Sequence, residues 1–295
     1  EKEELGGVCL NWGCIPTKAL LKSAQVFDYI SHSKDYGIDV KDAKIDFGGM
    51  VKRSRDVAGG MSKGIQFLFK KNKIDHLDGH GTLLKGKKVE VTDKDGKKTT
   101  YQAKNVILAT GGRSRELPSM PINKEKIIGY RKAMVLEKQP KKMVVVGSGA
   151  IGVEFAYFYN SIGTEVTVVE FMPNIVPVED EEISKALARN FKKNGIKIMT
   201  DSEVTKVDTK GKGCKVTVKT KKGEEQLDCD VVLSAVGVTT NLEKLGLEEV
   251  GVKHEKGKIQ IDDFYKTSVD GVYAIGDIVH GPALAHVASA EGIIC

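Results

Sequence analysis

An α/β fold, made of two nested domains with a β-hairpin insertion in each, is predicted by two features of this 295-residue chain. In the first, the β-branched run Met143-Val144-Val145-Val146 leads directly into Gly147-Ser148-Gly149-Ala150-Ile151-Gly152 and then into a helical pattern. In the second, one strand–turn–strand–strand plan occurs twice, over 88–111 and over 215–237. A third feature, Cys9 and Cys14 set just before Pro16, concerns chemistry rather than fold.

Taken in order, the chain first presents Gly6-Gly7-Val8-Cys9-Leu10-Asn11-Trp12-Gly13-Cys14-Ile15-Pro16-Thr17-Lys18. An ideal helix would hold residues five apart roughly 8–9 Å from each other, whereas a disulfide needs Cα atoms about 5.5 Å apart. The backbone must therefore tighten locally, and Gly13 is the residue that permits it. Pro16 suits a first helical turn, which places Cys14 near a helix N-terminus, where the dipole favours thiolate. A redox dithiol is the favoured reading, beside a structural disulfide and half of a zinc site. The fivefold spacing without a second Cys/His pair argues against zinc.

Helices follow at Thr17–Ser31 and Phe47–Lys71, the second amphipathic through Met50, Val57, Met61, Ile65 and Leu68. The run from Lys88 reads as a strand, a turn at Asp95-Gly96, a second strand, and then Val106-Ile107-Leu108 ending in Ala109-Thr110-Gly111. From Met143 to Glu170 lies a strand–turn–helix–strand unit. Its helix carries Val153, Phe155, Ala156 and Phe158, and its second strand, Val166–Val169, ends in Glu170. A G-x-G-x-x-G placed after a strand, opening a helix and closed by an acid at this distance is a dinucleotide fingerprint. Gly147 permits the tight turn, Gly149 the approach of a pyrophosphate and Gly152 close helix–strand packing. Glu170 would accept hydrogen bonds from both ribose hydroxyls and repel a 2′-phosphate, and Phe171-Met172-Pro173 supply no cation, so NAD is favoured over NADP. Glu181–Asn194 is a helix closed by Gly195. The second copy of the hairpin plan turns at Lys222-Gly223 and returns through Val231–Gly237. Two such domains imply two nucleotides, and a flavin beside NAD would couple hydride transfer to thiol chemistry.

Composition bounds the alternatives. With 40% hydrophobic and 29% charged residues the chain is ordinary for a globular protein, and no apolar run reaches membrane-spanning length. The net charge of +6 gathers beside hairpin turns (Lys85, Lys87, Lys88; Lys219, Lys221, Lys222) without interleaved aromatics, which argues against a nucleic-acid partner. Cys214 and Cys229 lie in strand-like runs and read as buried thiols. That usage fits a reducing compartment with one catalytic pair. The chain starts without Met and stops at Cys295 within a helical run from Ala283, so it reads as an interior piece of a longer protein.

Together the dithiol run, Ala109-Thr110-Gly111, Gly147 through Glu154, and Thr267 through Asp277 with Ala274-Ile275-Gly276-Asp277 resemble the flavoprotein disulfide reductases, in their dihydrolipoamide-oxidising branch. The resemblance covers essentially the whole chain and implies two Rossmann-like domains. An FAD domain would span 1–125, without its N-terminal strand–loop–helix, and an NAD domain 126–240. Residues 241–295 would return to the FAD and central region, and an interface domain would lie beyond them. It further implies that Cys9 exchanges with dihydrolipoamide, that Cys14 faces the flavin, and that Lys18 sits near the flavin paired with Glu154. FAD contacts would come from Glu1, Lys18, Gly81, Thr110, Gly111, Asp277 and the Ala283-Leu284-Ala285-His286 stretch. NAD contacts would come from Gly147, Gly149, Ile151, Gly152, Glu154, Glu170, Val204 and Gly237. The resemblance assigns the general base to a His–Glu pair in the partner subunit's interface domain, outside these 295 residues. It also implies a homodimer, lipoyl domains of 2-oxo acid dehydrogenase or glycine cleavage complexes as partners, and a cytoplasmic or organelle-matrix setting. The alternatives are another disulfide reductase, such as one acting on mercuric ion, and a non-enzymatic nucleotide-binding module.

Overall fold

The computed structural model describes residues 1–123 and 125–295. It divides into two compact units, each discontinuous in sequence. One comprises Glu1–Asn11, Gly60–Arg113 and Val238–Cys295; the other comprises Trp12–Gly59 and Ser114–Gly237.

The second unit is built on a five-stranded parallel sheet in the order Ile127–Ile128, Val231–Ser234, Lys142–Val146, Glu165–Val169, Lys197–Met199. Its central strand buries Met143 through Val146 on both faces, as expected of a parallel strand covered on both sides. The crossover helix Ala150–Ser161 buries Phe155, Ala156, Phe158 and Tyr159. Ring contacts join Tyr159 to Phe158 (5.0 Å between centroids) and both to Phe47. Helix Glu181–Lys193 is opened by Asp180, whose carboxylate accepts from Glu182 N at 2.8 Å, and is followed by Gly195 at φ +84. The hairpin insertion forms a three-stranded antiparallel sheet of Glu203–Asp208, Cys214–Thr220 and Gly223–Cys229. Its alternate residues Cys214, Val216 and Val218 enter one core with Val144, Val146 and Val232. Burial of such side chains stabilises by about 1.5–3 kcal/mol each.

The first unit carries the other insertion, His80–Leu84, Lys88–Thr92 and Lys98–Gln102, also antiparallel. The turn at Asp95-Gly96 is held by Asp93, whose carboxylate accepts from the amides of Asp95 and Lys97 at 2.9 Å. Among the described residues its parallel pairing is Val106–Leu108 against Val272–Ala274. Leu83, Leu108, Leu245, Leu247, Ile259, Val272 and Ile278 form its core.

Two expectations are corrected. The helix expected over Thr17–Ser31 begins at Cys14 and is preceded by a short one, Gly7–Trp12. Helix Phe47–Lys71 does not bury the stripe read from its large residues: Val57, Met61 and Leu68 are exposed, while Ser54, Ala58 and Ser62 are buried. Small side chains let a neighbouring backbone come close, and the two hydroxyls are satisfied, Ser54 on Val51 O and Ser62 on Leu5 O. Among the described residues no helix is long and apolar enough to cross a membrane.

Candidate active site

The helical path is interrupted at Gly13. Gly7–Trp12 forms one short helix and Cys14–Ser31 the next. Cys9 lies on the first and Cys14 is the opening residue of the second; the two are disulfide-bonded. Pro16 occupies the third position of the new helix, where no intrahelical amide bond is lost, and Thr17 N donates to Gly13 O at 3.0 Å. The segment ahead of the break is fastened by buried Asn11, whose side-chain amide donates to Leu5 O at 2.9 Å and Gly7 O at 3.1 Å. Cys14 is exposed and Cys9 half-buried.

One turn beyond Cys14, the Lys18 ammonium pairs with the Glu154 carboxylate. Glu154 stands on the Ala150–Ser161 helix, the one opened by the glycine fingerprint. Within that fingerprint the three glycines differ in kind. A Cβ on Gly147, whose φ is +95, would lie 2.4 Å from Ala235 O, and a Cβ on Gly152 would lie 2.1 Å from Gly147 O. Neither position admits a side chain. A Cβ on Gly149 meets nothing within 4 Å, so space is open beside this backbone at the helix N-terminus. Ile151 is half-buried on the first turn.

Glu170, at the end of its strand, is buried, and both carboxylate oxygens are engaged. One accepts from Ser148 N at 2.8 Å and Ser148 Oγ at 2.6 Å, the other from Met172 N at 2.8 Å. Ser148 had no assigned role in the sequence, because the fingerprint leaves that position free. Val204 is buried in the core with Met199 and Val216. Gly237 is exposed at φ +104 and its carbonyl accepts from Arg115 N at 3.0 Å.

In the first unit, Thr110-Gly111 and Gly276-Asp277 follow the carboxyl ends of two paired parallel strands. Thr110 Oγ1 donates to Asn241 O at 2.7 Å and Thr110 O accepts from Asn241 Nδ2 at 2.9 Å. Asp277 lies against Gly112, where an added Cβ would be 3.3 Å from Asp277 Oδ2. The amide of Gly276 donates to buried Glu291 at 2.6 Å, a residue the sequence did not single out. Glu1 accepts from the amides of Lys2 and Glu3 through one carboxylate oxygen, and its carbonyl accepts from Gly79 N at 2.9 Å. Gly81 pairs with Val91 inside the antiparallel insertion. Ala283, Leu284, Ala285 and His286 are exposed at the entrance of helix Ala285–Ile294.

A disulfide at a helix start, joined through Lys18 and Glu154 to a glycine-fingerprint helix, defines an oxidoreductase class that links a nucleotide to a thiol pair. The chain belongs to the pyridine nucleotide-disulphide oxidoreductases, whose family pattern it matches over residues 3–292. It is similar to a protein named dihydrolipoyl dehydrogenase from Rhizobium etli, 45% identical over 312 aligned residues, covering 100% of this chain and 65% of the relative. It is also 45% identical over 295 residues to a protein of the same name from Chlorobaculum tepidum, covering 100% of this chain and 63% of the relative. Among solved structures, LpdA from Mycobacterium tuberculosis superposes with a TM-score of 0.92 at 27% identity, over 100% of this chain and 64% of that one. The chain thus spans 63% to 65% of the length of these relatives.

Proposed function

We propose that the protein oxidises lipoyl-bound dihydrolipoamide to lipoamide and delivers the electrons to NAD⁺, as an NAD-dependent dihydrolipoyl dehydrogenase. The observation that carries this reading is the Cys9–Cys14 disulfide with Cys14 opening an 18-residue helix. A substrate thiolate attacks Cys9 Sγ, the Cys9–Cys14 bond breaks, and Cys14 leaves as thiolate. The helix N-terminus stabilises that leaving group, which directs attack to Cys9. The second substrate thiol then attacks the mixed disulfide and releases lipoamide with Cys9 as thiolate. Two electrons thereby enter the pair, and the two substrate protons pass to a base and solvent. Lys18, one helical turn from Cys14, sets a positive charge on the same face, partly balanced by Glu154.

Residues fitting FAD are Glu1, Gly81, Thr110, Gly111, Asp277 and Ala283 to His286, together with Lys18. Their fit rests on the turns at Gly111 (φ +65) and Gly276 (φ +73), at strand ends where nucleotides approach α/β sheets. When bound, FAD would accept the electron pair from the dithiol and pass it on as hydride. Residues fitting NAD are Gly147, Gly149, Ile151, Gly152, Glu154, Glu170, Val204 and Gly237. The open space at Gly149 admits a pyrophosphate, and the carboxylate of Glu170 disfavours a 2′-phosphate. In this reading the FAD part runs over 1–125 and resumes in 241–295, with the NAD part over 126–240. The protein works as a homodimer on lipoyl domains of 2-oxo acid dehydrogenase or glycine cleavage complexes, in the cytoplasm or an organelle matrix.

The test is reduction of NAD⁺ by dihydrolipoamide, using the full reading frame purified with flavin, beside Cys14→Ser. Turnover in the parent and its loss by at least about a thousandfold in the variant are expected, since removing a covalent catalyst costs on this order. Absence of turnover in the flavin-loaded parent would sink the reading and turn attention to mercuric ion and other disulfides.

A further inference from the structure

Remote in sequence from the first cysteine pair lies another. Cys214 opens strand Cys214–Thr220, Cys229 ends strand Gly223–Cys229, and the two are direct register partners. Antiparallel partners hold their Cα atoms about 4.5–5.5 Å apart, inside the range a disulfide bridges. Both are free thiols, buried at 2% and 6% exposure. They nevertheless line a cavity of about 480 Å³, together with Asp208, Gly211, Gly213 and Lys142. A solute the size of a peroxide fits such a space many times over, and no large side chain stands at Gly211 or Gly213.

The Cys214 thiol lies 3.8 Å from the carbonyl oxygens of both Lys126 and Asp230. The neighbouring Cys229 thiol and the nearby Lys126 ammonium hold Cys214 below the ordinary thiol range, while Cys214 and burial push Cys229 up. The Lys126 cation, held by Thr209 O at 2.7 Å and by Gly211 O at the rim of this pocket, gives the pair an asymmetry in which Cys214 is the attacking sulfur and Cys229 the resolving thiol. Two merely packed thiols would need neither a cavity nor a positioned cation.

We propose that Cys214 and Cys229 form a second dithiol, a site of oxidative modification at which a hydroperoxide is reduced and a cross-strand disulfide is made. The Cys214 thiolate attacks one peroxide oxygen; an S–O bond forms, the O–O bond breaks, and sulfur gives up two electrons. The hydroxide released from hydrogen peroxide takes up the proton that Cys214 had yielded. Cys229 then attacks Cys214 Sγ; the S–S bond forms, the S–O bond breaks, and the departing hydroxide leaves as water with the Cys229 proton. In sum, two thiols and one hydrogen peroxide give one disulfide and two waters. This is the sulfenic-acid route to a disulfide, and it uses neither nucleotide.

The experiment treats the reduced, folded full-length protein with hydrogen peroxide, alkylates remaining thiols with N-ethylmaleimide and maps tryptic peptides by mass spectrometry. Cys9 and Cys14 share the peptide 3–18, so their bond gives a separate signature from a link between 213–215 and 223–244. The 213–215/223–244 linked pair, two hydrogens lighter than its reduced parts, is expected, with loss of maleimide labelling at both positions. In Cys229→Ser, dimedone should label Cys214. The proposal is overturned if both thiols remain alkylatable after peroxide has closed the Cys9–Cys14 pair, or if the link arises only in urea. Because those two outcomes are read on the parent protein, they stand even where a variant folds poorly. Dimedone on Cys229 in Cys214→Ser, with none on Cys214 in the converse variant, would overturn the assignment of roles.

Discussion

The glycine turns that follow the parallel strands Lys142–Val146, Val106–Leu108 and Val272–Ala274 are held by different means in the two units. In the second unit the turn is closed by backbone against backbone: Gly147 sits under Ala235 O and Gly152 under Gly147 O, too close for any Cβ. In the first unit Gly111 and Gly276, which follow the paired parallel strands, serve conformation alone. Gly111 and Gly276 take positive φ, yet an added Cβ would meet nothing within 4 Å at Gly111 and only Ala288 Cβ, at 3.4 Å, at Gly276. The turns there are tied by side chains reaching in from elsewhere: Asn241 onto Thr110, Glu291 onto Gly276, and Glu243 onto Arg113. Packing fixes one turn and tethers fix the other, so the two should fail differently.

The largest effect is expected at Gly152. Gly152→Ala forces a methyl into a backbone carbonyl and should cost at least about 3 kcal/mol, the upper part of the overpacking range. Gly111→Ala has only its left-handed backbone to resist it, about 1–2 kcal/mol. Urea unfolding of both variants measures the difference, and hydrogen exchange locates it, with protection lost over 142–169 for the first. Equal costs would break the comparison. A middle-sized effect is expected at Glu291: Glu291→Leu leaves the Gly276 amide without its acceptor, at about 1–3 kcal/mol. Glu291→Gln, which keeps an acceptor, should recover most of that, as faster or slower exchange of the Gly276 amide will show.

Smallest is the surface tether. The Arg113 guanidinium, by hydrogen bond first, holds the Glu243 carboxyl below its ordinary range. A depressed carboxyl stabilises the fold above its unfolded value, and that contribution is lost as pH falls through the folded one. Both side chains are about half exposed, so Glu243→Gln should change stability by less than about 1 kcal/mol. The difference from the parent, followed by urea unfolding at a series of pH values, should vanish in acid.

The same contrast explains what could be read from the residues. The fingerprint, its strand and helix, and the acid Glu170 were legible because packing turns impose a spacing within one continuous run. The disulfide segment was legible for a similar reason: Gly13 and Pro16 mark the helix break locally. The tethers were not, since Asn241 reaches Thr110 across 131 positions and no local pattern marks Glu291 as an acceptor for Gly276. Nor could the spacing show that Ser148 clamps Glu170, because its position in the motif is unconstrained. The Phe47–Lys71 helix misled for a third reason. Hydrophobicity ranks Met61 and Leu68 above Ser54 and Ser62, but the small residues are the buried ones, with their hydroxyls hydrogen-bonded to backbone carbonyls.

Trp12, the chain's single tryptophan, lies between Cys9 and Cys14 beneath the Arg55 guanidinium, 3.9 Å from the ring centroid, with Arg131 at 5.5 Å. Indole emission from these 295 residues therefore originates inside the loop that the disulfide closes, next to a charge that perturbs the excited state. The molecule carries its own optical gauge of that loop, readable in a cuvette without any label.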